Sequence, residues 1–190
     1  MQFFNRQRAV EYALRWALVR NPKFPDYSGN GQGGDCTSFV SQVMMAGGWT
    51  EVPGLRFDRT AWWSEKAKSS HSWAGADPFA SFLRSSGRAR VCGRDELALA
   101  DIVQIRNPDG PLHHTMVVTG ITPRRGEYHE AVDEIYVSYH SRDNKNNLLN
   151  TIEGSEAYRK HTFVFWKVSD IFSDDYVSYT FTTLQGGWGT

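Results

Sequence analysis

The 190-residue chain predicts an α+β domain, with helices first and an antiparallel sheet after them. Two observations carry this. Apolar residues recur at helical spacing over Asn5–Arg20 and Asp35–Ala46, and from Ala100 onward the pattern changes to strand-like alternation. Helical and strand segments kept apart along the chain, rather than alternating, make the α+β class.

In the first helix Val10, Ala13, Leu14, Ala17 and Leu18 share one face, with Tyr12 and Trp16 beside it, and Asn21-Pro22 ends it. A polar, glycine-rich stretch, Ser28 to Gly34, leads to Asp35 and Cys36. Phe39, Val40 and Val43 then continue at helical spacing to Ala46, and Gly47-Gly48 suit a left-handed cap. Trp49 to Ser86 is aromatic-rich and irregular except for a short helix over Pro78–Leu83. Asp101–Ile105 reads as a strand, Asn107-Pro108-Asp109-Gly110 as a tight turn, and His114–Ile121, Glu134–His140 and His161–Val168 as further strands. No internal repeat or linker is visible. The glycine-punctuated tail after Ser169 is left unassigned.

Composition narrows the function. Hydrophobic content is 40% with seven Trp, enough for a real core, and Lys plus Arg equals Asp plus Glu at 21 each, so net charge gives no support for nucleic-acid binding. Arg84, Arg88, Arg90 and Arg94 read as a solvated loop, with a patch for an anionic polymer as the alternative. Met1–Arg20 has charges through its apolar positions and no small-residue cleavage site, so no secretory signal is expected there, and no run is long enough to span a membrane. The two cysteines, Cys36 and Cys92, make no disulfide framework and are expected to be free.

Cys36 is the candidate nucleophile. A cysteine in the first turn of a helix meets exposed N–H groups and the positive end of the dipole, which predicts a thiol pKa below its usual value. Asp35 is placed to cap the same N–H groups. A cysteine nucleophile needs a base, and His113 or His114, at the mouth of a strand, can supply it. Strand alternation puts those two on opposite faces, so one of them faces the Cys36 helix. His140, at the end of the next strand with Asp143 and Asn144 following, is placed to orient the base. Two alternatives stay open: a small buried cysteine opening a core helix, and a zinc site built from Cys36, His113, His114 and His140. No C-x-x-C or H-x-x-x-H pair supports the second. A serine nucleophile has no G-x-S-x-G elbow, and no carboxylate pair supports a glycosidase.

Gly34-Asp35-Cys36-Thr37-Ser38-Phe39-Val40-Ser41-Gln42, with Asn5-Arg6, Tyr12-Ala13 and Arg20-Asn21-Pro22 before it, resembles the bacterial putative amidase domain family, a branch of the papain-like cysteine hydrolases akin to NlpC-type and CHAP cell-wall enzymes. The resemblance continues through His114-Thr115-Met116-Val117-Val118-Thr119-Gly120 and Tyr139-His140-Ser141-Arg142-Asp143, and covers about residues 4–168 of a single 1–190 domain. It implies a papain-like fold with the Cys helix packed on the sheet, and amide hydrolysis without cofactor or metal. Cys36 then matches the nucleophile, His114 the base and His140 the orienting residue. Asp35 and Cys36 supply oxyanion N–H groups, and Tyr27 is a further oxyanion candidate. His113 stands where an acidic residue is usual, and a cation there depresses the pKa of His114. The family suggests peptidoglycan stem peptides as substrate. It also suggests an antibacterial effector, made in the cytoplasm, exported by a specialised route to act in a periplasm, and held in check by an immunity protein. A protease or transferase acting on protein is the enzymatic alternative, and a non-catalytic binding module the other.

Overall fold

The computed structural model describes residues 1–29, 35–125 and 131–173. The expected residues 30–34 of the glycine-rich stretch and the tail from 174 lie outside these. Helix α1 spans Arg6–Trp16 and ends a turn before the apolar spacing does; Asn5 opens it by accepting the Arg8 N–H on its side chain at 2.9 Å. Helix α2 spans Cys36–Ala46, and every residue from Cys36 to Met44 is buried. Of the two glycines after it, Gly48 takes the left-handed conformation (φ +117°), while a Cβ on Gly47 would run into the Phe4 ring.

Helices α3 (His71–Ala74) and α4 (Ala76–Ser86) follow. The expected Pro78–Leu83 helix is thus extended both ways, because Pro78 falls in the first turn, where its missing N–H has no helical partner to lose. Strand β1 (Gln2–Phe3) lies before α1. The remaining strands are β2 (Ala89–Cys92), β3 (Ile102–Arg106), β4 (Leu112–Arg125), β5 (Ala131–Tyr139), β6 (Asn144–Leu148), β7 (Thr162–Val168) and β8 (Ile171–Phe172), with helix α5 (Leu149–Glu153) between β6 and β7.

The main sheet runs β2-β7-β3-β4-β5-β6 with every pair antiparallel. Strands β3 to β6 form the expected meander. Strand β7 crosses back to the far side of β3, so the sheet is not a meander throughout. Strands β1 and β8 pair separately, which packs the start of the unassigned tail: Phe172 is buried and lies edge-on to Trp49.

Alternation along the strands splits the core between two faces. Ile102, Val117 and Trp166 pack with α1, α2 and α4, whereas Val103, Ile105, Met116, Val118 and Val137 pack with Leu149 and Ile152 of α5. Of the arginine group, Arg84 and Arg90 are exposed as expected, and Arg88 is not. Arg88 is fully buried, its guanidinium 5.0 Å from the centre of the Phe172 ring, 5.4 Å from Trp49 and 5.5 Å from Phe82, and it donates to the Thr50 carbonyl at 2.8 Å. Arg90 and Arg94 pair with Glu96 and Glu153, which leaves no basic patch of the four.

Candidate active site

Cys36 is the first residue of α2 and sits where the helix N-terminus abuts β4. A run of hydrogen bonds fixes this contact. Trp166 Nε1 donates to Gln104 Oε1 at 2.9 Å, Gln104 Nε2 to Thr115 Oγ1 at 3.2 Å, and Thr115 and Thr37 share a hydroxyl bond of 2.8 Å. Strands β7, β3 and β4 are so tied to the first turn of α2. These residues carry no chemistry-bearing signature in the sequence, although Thr at the second position of a helix and Gln in a buried strand already ask for partners.

The thiol is 4% exposed and free. Burial pushes its pKa up, and backbone N–H groups of Thr115 and Thr37 together with the Thr37 hydroxyl oppose that only in part. The low-pKa thiol expected from the helix terminus is therefore corrected: burial pushes it the other way.

The Thr37–Thr115 bond sets the first turn of α2 against β4, one residue from His114. His114 pairs with Ile105, and its ring meets Tyr139 edge-on at 5.1 Å. Both partners belong to the α5 face. So Thr115, not His114, points at α2, and the imidazole and the thiol approach the same stretch of β4 from opposite faces of the sheet. Burial, with the neighbouring His113 second, pushes the His114 pKa down to about 4. The sequence reading of one histidine on each face also fails. A bulge between Ile105 and Arg106 leaves His113 unpaired with β3, and it turns to His161, ring centres 5.3 Å apart.

His140 follows the end of β5 and is buried, but it does not hold His114. Its Nδ1 is 2.7 Å from Asp35 Oδ2 and its Nε2 donates to the Trp16 carbonyl at 2.9 Å, while its ring stacks on Phe39 at 4.2 Å. Asp35 is likewise not the expected helix cap, since its side chain makes no cap bond. Arg20 Nε lies 2.7 Å from the same Oδ2, a charge contact whose N–H is not aligned for a hydrogen bond. Arg20 also grips Asp143 with two bonds of 2.7 and 2.9 Å, and holds the Asp143 carboxyl below its ordinary pKa. Trp16, Arg20, Asp35, His140 and Asp143 thus form one knot at the entry to α2.

The remaining oxyanion assignments change too. The Asp35 N–H donates to Ser141 Oγ at 2.9 Å, which takes it away from any oxyanion. Tyr27 donates its hydroxyl to Ser69 Oγ at 2.7 Å and so packs rather than reaching the thiol. Among the described residues no three His, Cys, Asp or Glu side chains gather as a metal would require, and no helix is long and apolar enough to cross a membrane.

A sequence profile described as a "Putative amidase domain" matches residues 3–164. Two Bacillus subtilis (strain 168) proteins are similar: the uncharacterized protein YhbB, 31% identical over 120 residues, and the uncharacterized protein YjcM, 26% identical over 165. The matches take in 60% and 79% of this chain but only 37% and 34% of those proteins, so the chain spans about a third of the length of the curated relatives it matches. No solved structure matches.

Proposed function

This chain belongs to the putative amidase domain family, and from that premise we propose that it hydrolyses an amide bond with Cys36 as nucleophile. The observation that carries the reading is the position of the cysteine, first residue of α2, where Thr37 and Thr115 bond the helix start to β4.

The chemistry follows from the two pKa directions. With His114 down to about 4 and the thiol raised, the resting pair at neutral pH is neutral imidazole and protonated sulfur. Cys36 therefore loses its proton during attack, by general-base catalysis through water, and does not rest as one half of a standing ion pair. As the Sγ–C bond forms, the sulfur's proton passes to water. The oxyanion meets the first-turn N–H groups of α2 from Cys36 onward. Collapse breaks the C–N bond, the proton returns through water to the leaving amine, and water then hydrolyses the thioester.

The substrate class we propose is the peptide of peptidoglycan, and an antibacterial role is one use of such an activity. The test is digestion of purified peptidoglycan by wild type, Cys36→Ala and His114→Ala, with released fragments identified by mass. Defined fragments from the wild type alone support the reading. Release by Cys36→Ala overturns the nucleophile. No release by any of the three overturns the wall as substrate, and the same panel is then run on protein substrates.

A further inference from the structure

Next to α2 the irregular segment after Trp49 builds a cleft of about 450 Å³ that the proposed chemistry does not use. Arg56, Lys68 and His71 line it, with Tyr27, Ser69 and Ser70, and there is no carboxylate among its lining residues. Lys68 has an acid partner, Glu65, at 3.2 Å. Arg56 has none among the described residues; its guanidinium lies over the Phe57 ring, 5.7 Å from the centre. On either side of Arg56 stand Leu55, 80% exposed, and Phe57, 70% exposed. Large apolar side chains this open, flanking an unpaired cation at the rim of a cleft, mark a contact surface.

The cleft is also joined to the nucleophile helix. Trp73 of α3 donates through Nε1 to Ser38 Oγ at 3.3 Å, and its carbonyl accepts from Ser41 Oγ at 2.8 Å. Its opposite wall comes from Tyr27, on the segment that leads toward Cys36. The cleft is thus built on segments tied to the helix that carries Cys36.

Resting on the amide-hydrolase reading, we infer that the cleft is a subsite for a carboxylate on the peptide substrate, with Arg56 as the cation that reads it and Leu55 and Phe57 as an apolar lip for the adjoining residue. The class of substrate is then an acidic peptide, not a neutral or basic one.

The experiment measures binding separately from turnover. Cys36→Ala is titrated calorimetrically with acetyl-Ala-Glu-Ala-amide and with its glutamine counterpart, and the titrations are repeated in Cys36→Ala with Arg56→Gln. The expected result is about tenfold tighter binding of the glutamate peptide, weakened by salt and reduced to the level of the glutamine peptide by Arg56→Gln. Equal binding of the two peptides, including no binding of either, overturns the subsite. So does a preference that survives Arg56→Gln. Because the binding assay uses the Cys36→Ala protein, a glutamate preference alongside an inactive wild type separates failure of the hydrolase reading from failure of the subsite.

Discussion

His140 Nδ1 and Asp35 Oδ2 lie 2.7 Å apart in a site where both residues are 1% exposed, joining the end of β5 to the residue before the thiol. Both ring nitrogens of His140 face oxygens, the Asp35 carboxylate and the Trp16 carbonyl. His140, which the family resemblance makes the orienting residue, here sets the entry to α2.

Asp35→Ala removes the acceptor and leaves His140 Nδ1 and the Arg20 contact buried without their counter-group. The expected loss is about 3 kcal/mol or more of unfolding free energy in urea, with the unfolding slope unchanged. A loss within the range of a surface substitution would show that the knot is not structural.

His114 gives stability a pH dependence. Unfolded, its imidazole binds a proton below pH 6.5; folded, it does so only below about 4. Within that window the unfolded chain holds more protons, so stability rises with pH, and it falls on acidification by up to about 3 kcal/mol. Denaturation series at pH 4.5 and 7 should show this fall, and His114→Gln should remove that part of it.

The raised Cys36 pKa predicts slow alkylation. Iodoacetamide should modify Cys36 more slowly at pH 7 than a small free thiol, with the rate still climbing past pH 9. Peptide mass mapping separates it from Cys92, which is partly exposed. A rate at pH 7 above that of the free thiol would mean a stabilised thiolate and would replace the general-base scheme by a standing ion pair.

Thr115→Val keeps the shape of the side chain but leaves Thr37 Oγ1 and one Gln104 hydrogen bond without their partner. The expected cost is about 1–2 kcal/mol of stability. A larger proportional fall in kcat than in 1/KM is also expected, because the thiol's seat on β4 loosens while the cleft is untouched. Equal falls in both would put Thr115 in substrate binding.

The local signals were readable along the chain. Helical spacing located α2 to within one residue, and alternation found β3 and β7. What escaped depends on partners far apart in sequence. Asp35 looks like a helix cap because capping is a short-range rule, yet it is claimed by His140 from 105 residues away. Arg88 looks solvated until four aromatic rings from separate segments close around it. Strand β6 reads Asn-Lys-Asn-Asn-Leu and shows no apolar alternation because it is the edge of the sheet. The bulge that frees His113 leaves no mark in residue type.

Ser41 accepts the Trp62 Nε1–H at 3.0 Å and donates to the Trp73 carbonyl at 2.8 Å, with Trp73 also bonded to Ser38. The segment that forms the cleft and the helix that carries the thiol therefore cannot be exchanged separately. A graft of residues 49–75 onto a related scaffold would dock only if that scaffold already offers hydroxyls at the positions of Ser38 and Ser41. Retuning what this chain accepts is in that sense also a repacking of the helix that presents Cys36.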